Sequence, residues 1–305
     1  MIKANDSGER VLMKNNVFPI ENGINLFIYG TLLPGCRLEK KIIGCSRRGP
    51  VLLEGAELYD LGAYPGMVLG RGTVVGAWIT VSPDALILLD KIEGYQSALA
   101  AEDCPYLRRP VEVTRFADGQ RVRLQSYLLN QDPKGLARIN HGCYRRHLVE
   151  KQTSGNWILA YGSNLSTARL EERVGKLDRA RSGWIPEFRL VFNKQSGTDN
   201  QHTAANIQFD PTARTPAVAW WLESNQISEL DRYEGVPDHY FRIGVPFVDR
   251  SHPNEVEYLQ GYVAHPDQLS RGRPSEKYLS YLKIGYQEHG LDLLEIEDQS
   301  LAKAD

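Results

Sequence analysis

Two glutamates are the residues of this sequence best placed to act as an acid or a base. Glu93 lies in "LLDKIEGY" and Glu234 in "ELDRYEGV", each at the end of an apolar segment and directly before a glycine. A glutamate exposed to water has a pKa of ~4.3 and is a poor base at neutral pH, but burial in an apolar pocket raises that pKa toward neutrality. Asp90 and Asp231 precede the glutamates by three positions, so a persisting helix would bring each aspartate beside its glutamate. The competing interpretation is an exposed glutamate at a helix end.

A Tyr-Gly-hydroxyl turn precedes each glutamate in the chain. One apolar strand runs into "YGTL" at Tyr29, and a second runs into "YGSN" at Tyr161. A strand that ends in glycine lets backbone N–H groups converge on one point, and a helix that begins just beyond adds its own free N–H groups. Such a turn could bind a carboxylate or a developing oxyanion. The alternative is a plain strand-to-helix turn with no ligand.

These features belong to an internal repeat. Besides the turns and the glutamates, the matching segments are "YLRRPVEV" at Tyr106 with "YFRIGVPF" at Tyr240, and "QSYLL" around Tyr127 with "QGYVA" around Tyr262. Because the landmarks occur in the same order, the chain is predicted to be a tandem duplication. The expected organisation is an N-terminal extension over 1–22, a first domain over 23–134, a helical tail and linker over 135–155, and a second domain over 156–300.

Each half predicts the same succession of elements. An apolar strand and its glycine turn lead into a helix-like segment, "CRLEKKII" in the first half and "STARLEERV" in the second, where Ser166 is a plausible N-cap. Strands such as "GTVVGAWITV" and "TPAVAWWLES" follow, then the helix with the Leu-Asp pair, then further strands. Because strands outnumber helices, the predicted fold class is α+β, each domain a small mixed β-barrel-like sheet with flanking helices.

Composition restricts the class of protein. A length of 305 residues favours two domains, and 42% hydrophobic with 24% charged residues suits an ordinary core. A formal charge of -2 gives no argument for nucleic acid or membrane partners. No apolar run reaches the ~18 residues of a membrane helix. The N-terminus lacks the apolar core of a signal peptide, so a cytoplasmic location is predicted.

Cysteine and histidine residues give no sign of a metal site. The four cysteines all lie in the first half and fit no zinc spacing, so they are expected to be reduced and structural. The seven histidines show no metal-ligand spacing either, and His239 is expected at the surface. A Gly-rich phosphate loop and a serine nucleophile elbow are both absent from the sequence. We therefore expect neither a metal nor a cofactor.

In these motifs the sequence resembles the γ-glutamylcyclotransferase-like, or AIG2-like, family in tandem. The second half, from Asn156 to about Glu297, is similar to γ-glutamylcyclotransferases in "AYGSNL", "EFRLVFNKQSG", "LDRYEGV" and "PSEKYLSYLKIGYQEHGL". The first half, from Ile24 to about Pro133, is similar to the γ-glutamylamine cyclotransferase branch in "FIYGTLLPG", "LYDLGAYPGMV", "LLDKIEGY" and "YLRRPVEV". The resemblance implies barrel-like α+β domains with a lyase or acyltransferase activity on a small-molecule γ-glutamyl substrate.

The reaction that this resemblance implies is intramolecular. The α-amino group of a γ-glutamyl compound attacks its own γ-carbonyl and releases 5-oxoproline and an amine. Glu234 and Glu93 would carry the proton as general acid and base, in a pocket that holds the nitrogen and the carbonyl about 3 Å apart. The implied substrate-binding residues are Tyr161, Gly162, Ser163, Asn164, Leu165, Tyr240 and Tyr262 in the second half, with Asn206 as a further polar side chain, and Tyr29, Gly30, Thr31, Leu32, Tyr106 and Tyr127 in the first half.

The first half departs from the family pattern in two ways. It inserts "QSALAAEDC" after its glutamate, which lengthens the glutamate-to-tyrosine interval from 6 positions (234 to 240) to 13 (93 to 106). Its turn also has Thr-Leu where the second half has Ser-Asn, so the two pockets should differ. An amide hydrolase on the same fold and a non-catalytic ligand-binding tandem domain are the alternative functions. The sequence leaves open the amine leaving group, the activity of each half and the oligomeric state.

Overall fold

The computed structural model describes residues 20, 22–42, 44–151, 153–197 and 201–293. The predicted N-terminal extension lies outside the described residues except for Ile20 and Asn22, and so do residues 294–300 of the predicted second domain. Within the described ranges, no helix combines the length and the apolar character needed to span a membrane.

The first half folds into a closed barrel of five strands. These strands are β1 (Ile24–Ile28), β2 (Ser46–Asp60), β3 (Pro65–Val81), β4 (Tyr106–Arg115) and β5 (Arg121–Leu129). They are arranged in the order β3-β1-β5-β4-β2, and β2 pairs with β3 to close the ring. The β1–β5 pair is parallel and the other pairs are antiparallel, so the sheet is mixed. A two-residue strand, β6 (Ala137–Arg138), adds to the outer side of β2.

The second half repeats this arrangement. Its strands are β7 (Gly155–Ala160), β8 (Ala180–Gln195), β9 (Thr203–Glu223), β10 (Tyr240–Asp249) and β11 (Glu257–Ala264). They close in the order β10-β11-β7-β9-β8, and β7 runs parallel to β11 as β1 runs parallel to β5. The predicted α+β class of two small mixed barrels is confirmed.

Five α-helices flank the barrels in the described part of the chain. They are α1 (Pro83–Ile92), α2 (Tyr144–Glu150), α3 (Thr167–Val174), α4 (Ser224–Glu234) and α5 (Glu276–Glu288). The hydroxyl of Ser82 caps α1 by accepting a hydrogen bond from the N–H of Ala85 (3.2 Å). Gly94 (φ 68°) and Gly235 (φ 66°) adopt the left-handed conformation that ends α1 and α4. The Glu-Gly pairs therefore fix both glutamates at the carboxyl end of a helix.

Two predicted helical segments are shorter in the structure. "CRLEKKII" forms only one 3-10 turn at Glu39–Lys41, because the N–H of Leu38 bonds back to the carbonyl of Thr31 (2.8 Å) and folds the segment onto the preceding turn. Among the described residues of the segment 135–155, only Tyr144–Glu150 is α-helical, since β6 pairs with β2 before it. Ser166 does occupy the N-cap position of α3, although its side chain forms no capping bond.

Direct contacts join the two barrels. The guanidinium of Arg47 on β2 pairs with Glu187 on β8 at 2.8 Å. The guanidinium of Arg145 on α2 donates to the carbonyl of Gly244 on β10 at 3.3 Å and lies over the ring of Tyr258. Gly35 packs against that same tyrosine so closely that a Cβ would lie 2.2 Å from its ring. The short α2 segment is thus packed between both barrels.

Candidate active sites

The first barrel contains a cavity of about 280 Å³ at the carboxyl end of β1. The turn after β1 and the end of α1 both contribute to its wall, so the two features singled out in the sequence face one space. The predicted site residues that line it are Tyr29, Gly30, Thr31, Leu32, Glu93, Tyr106 and Tyr127. Arg37 and Tyr64, which were not among the predicted site residues, line it as well.

Glu93 lines this cavity, and its carboxyl group has no hydrogen bond or ion pair to any described residue. Burial penalises the charged carboxylate and raises the pKa of Glu93 to about 7. A carboxyl group that titrates near neutrality can both accept and return a proton under physiological conditions. This is the environment that a basic glutamate requires.

The turn that lines the cavity with Glu93 contains backbone N–H groups without a partner. Gly30 is required by close packing rather than by its φ angle, because a Cβ would lie 2.8 Å from Cγ of Pro65. The N–H of Leu33 donates to the carbonyl of Gly30 (2.9 Å), whereas the N–H groups of Thr31 and Leu32 have no acceptor among the described residues. These two amides therefore have free donor capacity for an anion.

The second barrel has the equivalent cavity, with a volume of about 40 Å³. It is lined by the predicted residues Tyr161, Gly162, Ser163, Asn164, Glu234, Tyr240 and Tyr262, and also by Tyr278 of α5. A Cβ on Gly162 would lie 3.0 Å from the hydroxyl of Tyr278 and 3.0 Å from Cβ of Ala205. The tyrosine of α5 thus packs directly on the turn, in a cavity much smaller than that of the first barrel.

Glu234 differs from Glu93 in its partners. Its Oε1 accepts hydrogen bonds from Nη1 of Arg173 (2.8 Å) and from Nδ2 of Asn164 (2.9 Å). The same nitrogen of Arg173 donates to Oδ1 of Asn164 (2.8 Å), so the three side chains form a closed ring of contacts. Leu32 stands at the Asn164 position of the first turn and cannot form these bonds. The Thr-Leu to Ser-Asn difference therefore accompanies a different electrostatic environment for each glutamate.

The aspartate of α4 is bonded to the barrel strands. Oδ1 of Asp231 accepts a hydrogen bond from the hydroxyl of Tyr262 (2.8 Å). Both carboxylate oxygens accept from the guanidinium of Arg242, at 2.8 Å each. A third guanidinium nitrogen donates to Glu150 of α2 (2.7 Å), which follows the first barrel in the chain. This network fixes α4, and with it Glu234, against β10 and β11.

The first barrel repeats the same support with equivalent residues. Oδ1 of Asp90 accepts from the hydroxyl of Tyr127 (2.7 Å) and lies 2.9 Å from Nε of Arg108. Arg108 and Arg242 occupy matching positions in "YLRR" and "YFRI". The aligned arginines are a sequence signal that could have identified this support, but the sequence interpretation selected only the glutamates and tyrosines around them.

Four tyrosines of the two cavities act as braces between backbone segments. Their hydroxyls donate to carbonyl oxygens as follows: Tyr29 to Tyr127 (2.7 Å), Tyr106 to Pro65 (2.9 Å), Tyr161 to Tyr262, and Tyr240 to Ala205 (2.9 Å). Burial raises the pKa of each of these phenols, so they remain protonated donors. Their rings line the cavities while their hydroxyls hold the walls together.

Two predicted site residues do not line a described cavity. Leu165 is fully buried in the core of the second barrel. Asn206 is 1% exposed, and its amide bonds to Oδ1 of Asn193 (3.0 Å) and to the N–H of Ala264 (3.0 Å). Its polar atoms are thus used within the barrel wall.

No cluster of three or more histidine, cysteine, aspartate or glutamate side chains suited to a metal occurs in the described ranges.

Replacing Arg242 with methionine is expected to lower the free energy of unfolding by about 2 kcal/mol, because Asp231 and Glu150 would lose a cation that is almost fully buried. Urea unfolding followed by circular dichroism measures the change. Arg232→Met is the matched control, since this arginine on α4 is largely exposed and its ion pair with Glu229 lies at the surface. Its expected effect is small, because an ion pair exposed to solvent contributes little to stability. Equal losses in the two variants would show that the buried network does not stabilise the fold.

Comparisons with known proteins bear on the fold and the family. Residues 26–146 match the family model described as "Gamma-glutamyl cyclotransferase, AIG2-like". The structure of YkqA from Bacillus subtilis aligns with a TM-score of 0.72 at 17% identity, covering 90% of this chain and 96% of that chain. At this identity the likeness shows the fold alone. A structure described as a gamma-glutamyl cyclotransferase aligns with a TM-score of 0.43 at 24% identity, covering 50% of this chain and 89% of that chain. An AIG2-like protein from Mus musculus aligns with a TM-score of 0.34 at 25% identity, covering 40% of this chain and 88% of that chain. No curated protein matches the chain.

Proposed function

We propose that this chain, whose first half matches the gamma-glutamyl cyclotransferase, AIG2-like family and whose second half repeats the fold, converts γ-glutamyl amides or peptides into 5-oxoproline and a free amine. The first barrel carries out the reaction, and Glu93 is its general base and acid. The observation that supports this assignment is the unpaired Glu93 carboxyl, with a pKa raised to about 7, in a cavity of about 280 Å³.

The proposed reaction requires only positioning and proton transfer from the protein. The α-amino nitrogen of the substrate attacks the γ-carbonyl carbon, and Glu93 accepts the proton that this nitrogen loses. The new C–N bond closes the five-membered ring, and the original amide C–N bond breaks as Glu93 returns the proton to the leaving amine. The cavity holds the flexible glutamyl chain folded, so the α-amino nitrogen stays close to the γ-carbonyl carbon, which it would otherwise approach only rarely.

The turn of the first barrel provides the binding partner for substrate charge. The unpaired N–H groups of Thr31 and Leu32 are donors for the α-carboxylate. Arg37 adds a cation to the cavity wall, so a second anionic group of the substrate would also be accommodated there. The same cavity therefore offers donors for the anionic end of the substrate and Glu93 for its amino group.

A panel of γ-glutamyl amides and peptides, assayed for 5-oxoproline over pH 5 to 9, tests the proposal. Because the base must be deprotonated and its pKa is about 7, kcat/KM is expected to rise with pH through about 7 and then level off. The glutaryl analogue of the best substrate, which lacks the α-amino group, should give no product. Release of free glutamate in place of 5-oxoproline would instead identify an amide hydrolase.

A further inference from the structure

The turn that follows β1 lies between two cavities. Its first part, residues 29–32, lines the cavity that Glu93 also lines. The next residues, Leu33 and Pro34, line a different cavity of about 60 Å³, whose walls come from both barrels and include Tyr258 of β11. The part of the turn that is proposed to bind substrate is therefore directly followed in the chain by a part that faces the second barrel.

Two side chains hold this second part of the turn against the second barrel. Gly35, which has a φ of 80°, lies so close to Tyr258 that a Cβ would be 2.2 Å from Cδ2 of the ring. The guanidinium of Arg145 on α2 lies 4.3 Å from the centroid of the same ring, and its Nε donates to the carbonyl of Pro34 at 2.9 Å. Its Nη1 donates to the carbonyl of Gly244 on β10 at 3.3 Å. The corner formed by Pro34 and Gly35 is thus packed on the tyrosine ring and bonded to an arginine that also bonds to the second barrel.

A chain of charged side chains connects the same corner to another strand of the second barrel. The N–H of Gly35 donates to Oε2 of Glu39 at 2.8 Å, and Oε1 of Glu39 lies 3.1 Å from Nη2 of Arg47. Nη1 of Arg47 pairs in turn with Glu187 on β8 at 2.8 Å. The corner is therefore connected to β8 through side chains and to β11 through direct packing.

Local hydrogen bonds link the corner to the donors of the turn. The N–H of Leu33 donates to the carbonyl of Gly30 (2.9 Å), and the N–H of Leu38 donates to the carbonyl of Thr31 (2.8 Å). These two bonds overlap along the chain and enclose the corner, so a displacement of the corner also displaces its neighbours in the turn. The unpaired N–H groups of Thr31 and Leu32 are among the groups that would move.

We propose that the second barrel positions the substrate-binding turn of the first barrel, and that Tyr258 and Arg145 are the positioning residues. The inference rests on the proposed function, because it takes the N–H groups of Thr31 and Leu32 as the donors for the substrate carboxylate. A misplacement of about 1 Å in a site can lower the rate of an enzyme by about 10²-fold. The second barrel thus contributes to the active site by packing on it, without contacting the substrate.

Tyr258→Ala in the full chain removes the ring on which Gly35 packs. The turn is proposed to hold the substrate carboxylate in the ground state and in the transition state alike, so KM is expected to rise about tenfold or more while kcat stays within about threefold of wild type. Arg145→Met keeps a long apolar side chain but loses the donor to Pro34, and KM should rise in this variant as well. Steady-state kinetics at pH 8 with a γ-glutamyl substrate measure both constants.

Phe209→Ala is the matched control. Phe209 of β9 lines the same cavity between the barrels and packs on Gly49 of β2, which has a φ of 101° and lies outside the turn. This variant should keep the KM of wild type. Tyr258→Phe should also keep it, because the ring is retained and the hydroxyl forms no hydrogen bond to any described residue. A loss of folded protein would lower the apparent kcat and leave KM unchanged, so the KM distinguishes a displaced turn from partial unfolding.

Amide hydrogen exchange of the peptide that covers residues 29–36, measured without substrate, tests the positioning independently of turnover. This peptide should exchange faster in Tyr258→Ala than in wild type or in Phe209→Ala, because the turn opens more often once its packing is lost. Unchanged exchange in Tyr258→Ala would overturn the inference, as would an equal rise of KM in Phe209→Ala. A wild-type chain that forms no 5-oxoproline would contradict the proposed function alone, because the exchange of the turn does not depend on the reaction.

Discussion

Replacing Glu93 with glutamine is expected to lower kcat for 5-oxoproline formation by about 10²–10⁴-fold, whereas replacing Glu234 with glutamine should leave it nearly unchanged. Glutamine keeps the volume and shape of the side chain but cannot accept the proton of the attacking nitrogen. Glu93 is the glutamate whose pKa is raised to about 7, while Glu234 is bonded to Arg173 and Asn164. The two halves are therefore predicted to differ in activity although their folds match.

Steady-state rates at pH 8 with a common γ-glutamyl substrate provide the measurement. Glu102→Gln is the control for removing a negative charge from this half, because Glu102 is exposed in the loop that follows Glu93 in the chain. It should keep the wild-type rate. If Glu234→Gln abolished the reaction and Glu93→Gln did not, catalysis would have to be assigned to the second barrel. Comparable partial losses in both variants would mean that both sites turn over substrate.

The same two substitutions are expected to change stability in opposite directions. At pH 8, Glu93→Gln should raise the free energy of unfolding by about 1–3 kcal/mol, and Glu234→Gln should lower it by about 1–3 kcal/mol. The first change removes a charge that the fold buries without a partner. The second removes the carboxylate that neutralises the largely buried Arg173. The same substitution at equivalent positions of the repeat would thus change the free energy of unfolding in opposite directions.

The pH dependence of the first effect follows from the direction of its pKa shift. The pKa of Glu93 rises from 4.5 to about 7 on folding, so the folded chain binds more protons than the unfolded chain between these values. The stability that this group contributes is fully present below pH 4.5, falls as the pH rises through about 7, and changes no further above that. The gain from Glu93→Gln should therefore be small at pH 5 and complete at pH 8. The expected gain in unfolding free energy is smaller than the whole pKa shift of Glu93 would give, because the Glu93 side chain is partly exposed to solvent.

Denaturant unfolding at pH 5 and pH 8 measures both effects, with Glu102→Gln again as the exposed-carboxylate control. Its unfolding free energy should stay within about 0.5 kcal/mol of wild type at either pH. A stability gain for Glu93→Gln that is independent of pH would rule out titration as its cause. Stabilisation by Glu234→Gln would contradict a favourable ion pair with Arg173.

The amino-acid sequence by itself determined the elements that are specified by near neighbours. The Ser82 cap and the left-handed glycines after Glu93 and Glu234 fix where two helices begin or end, because each acts within about one turn of the chain. Strand alternation together with the internal repeat predicted two small mixed barrels, and the repeat also predicted that each Tyr-Gly turn accompanies a glutamate. "CRLEKKII" failed as a helix because a bond from Leu38 to Thr31 outweighed a weak local preference.

Only the tertiary structure decided the charge around each glutamate. Arg173 and Glu234 are 61 positions apart, and Arg242 and Glu150 are 92 apart, so neither pair is specified by local spacing. The ion pair exists because α3 packs beside α4 once the barrel has closed, and the described part of the first barrel leaves Glu93 with no such neighbour. Two near-identical Glu-Gly motifs therefore lie in different electrostatic environments, since burial and charge partners are properties of the packed molecule.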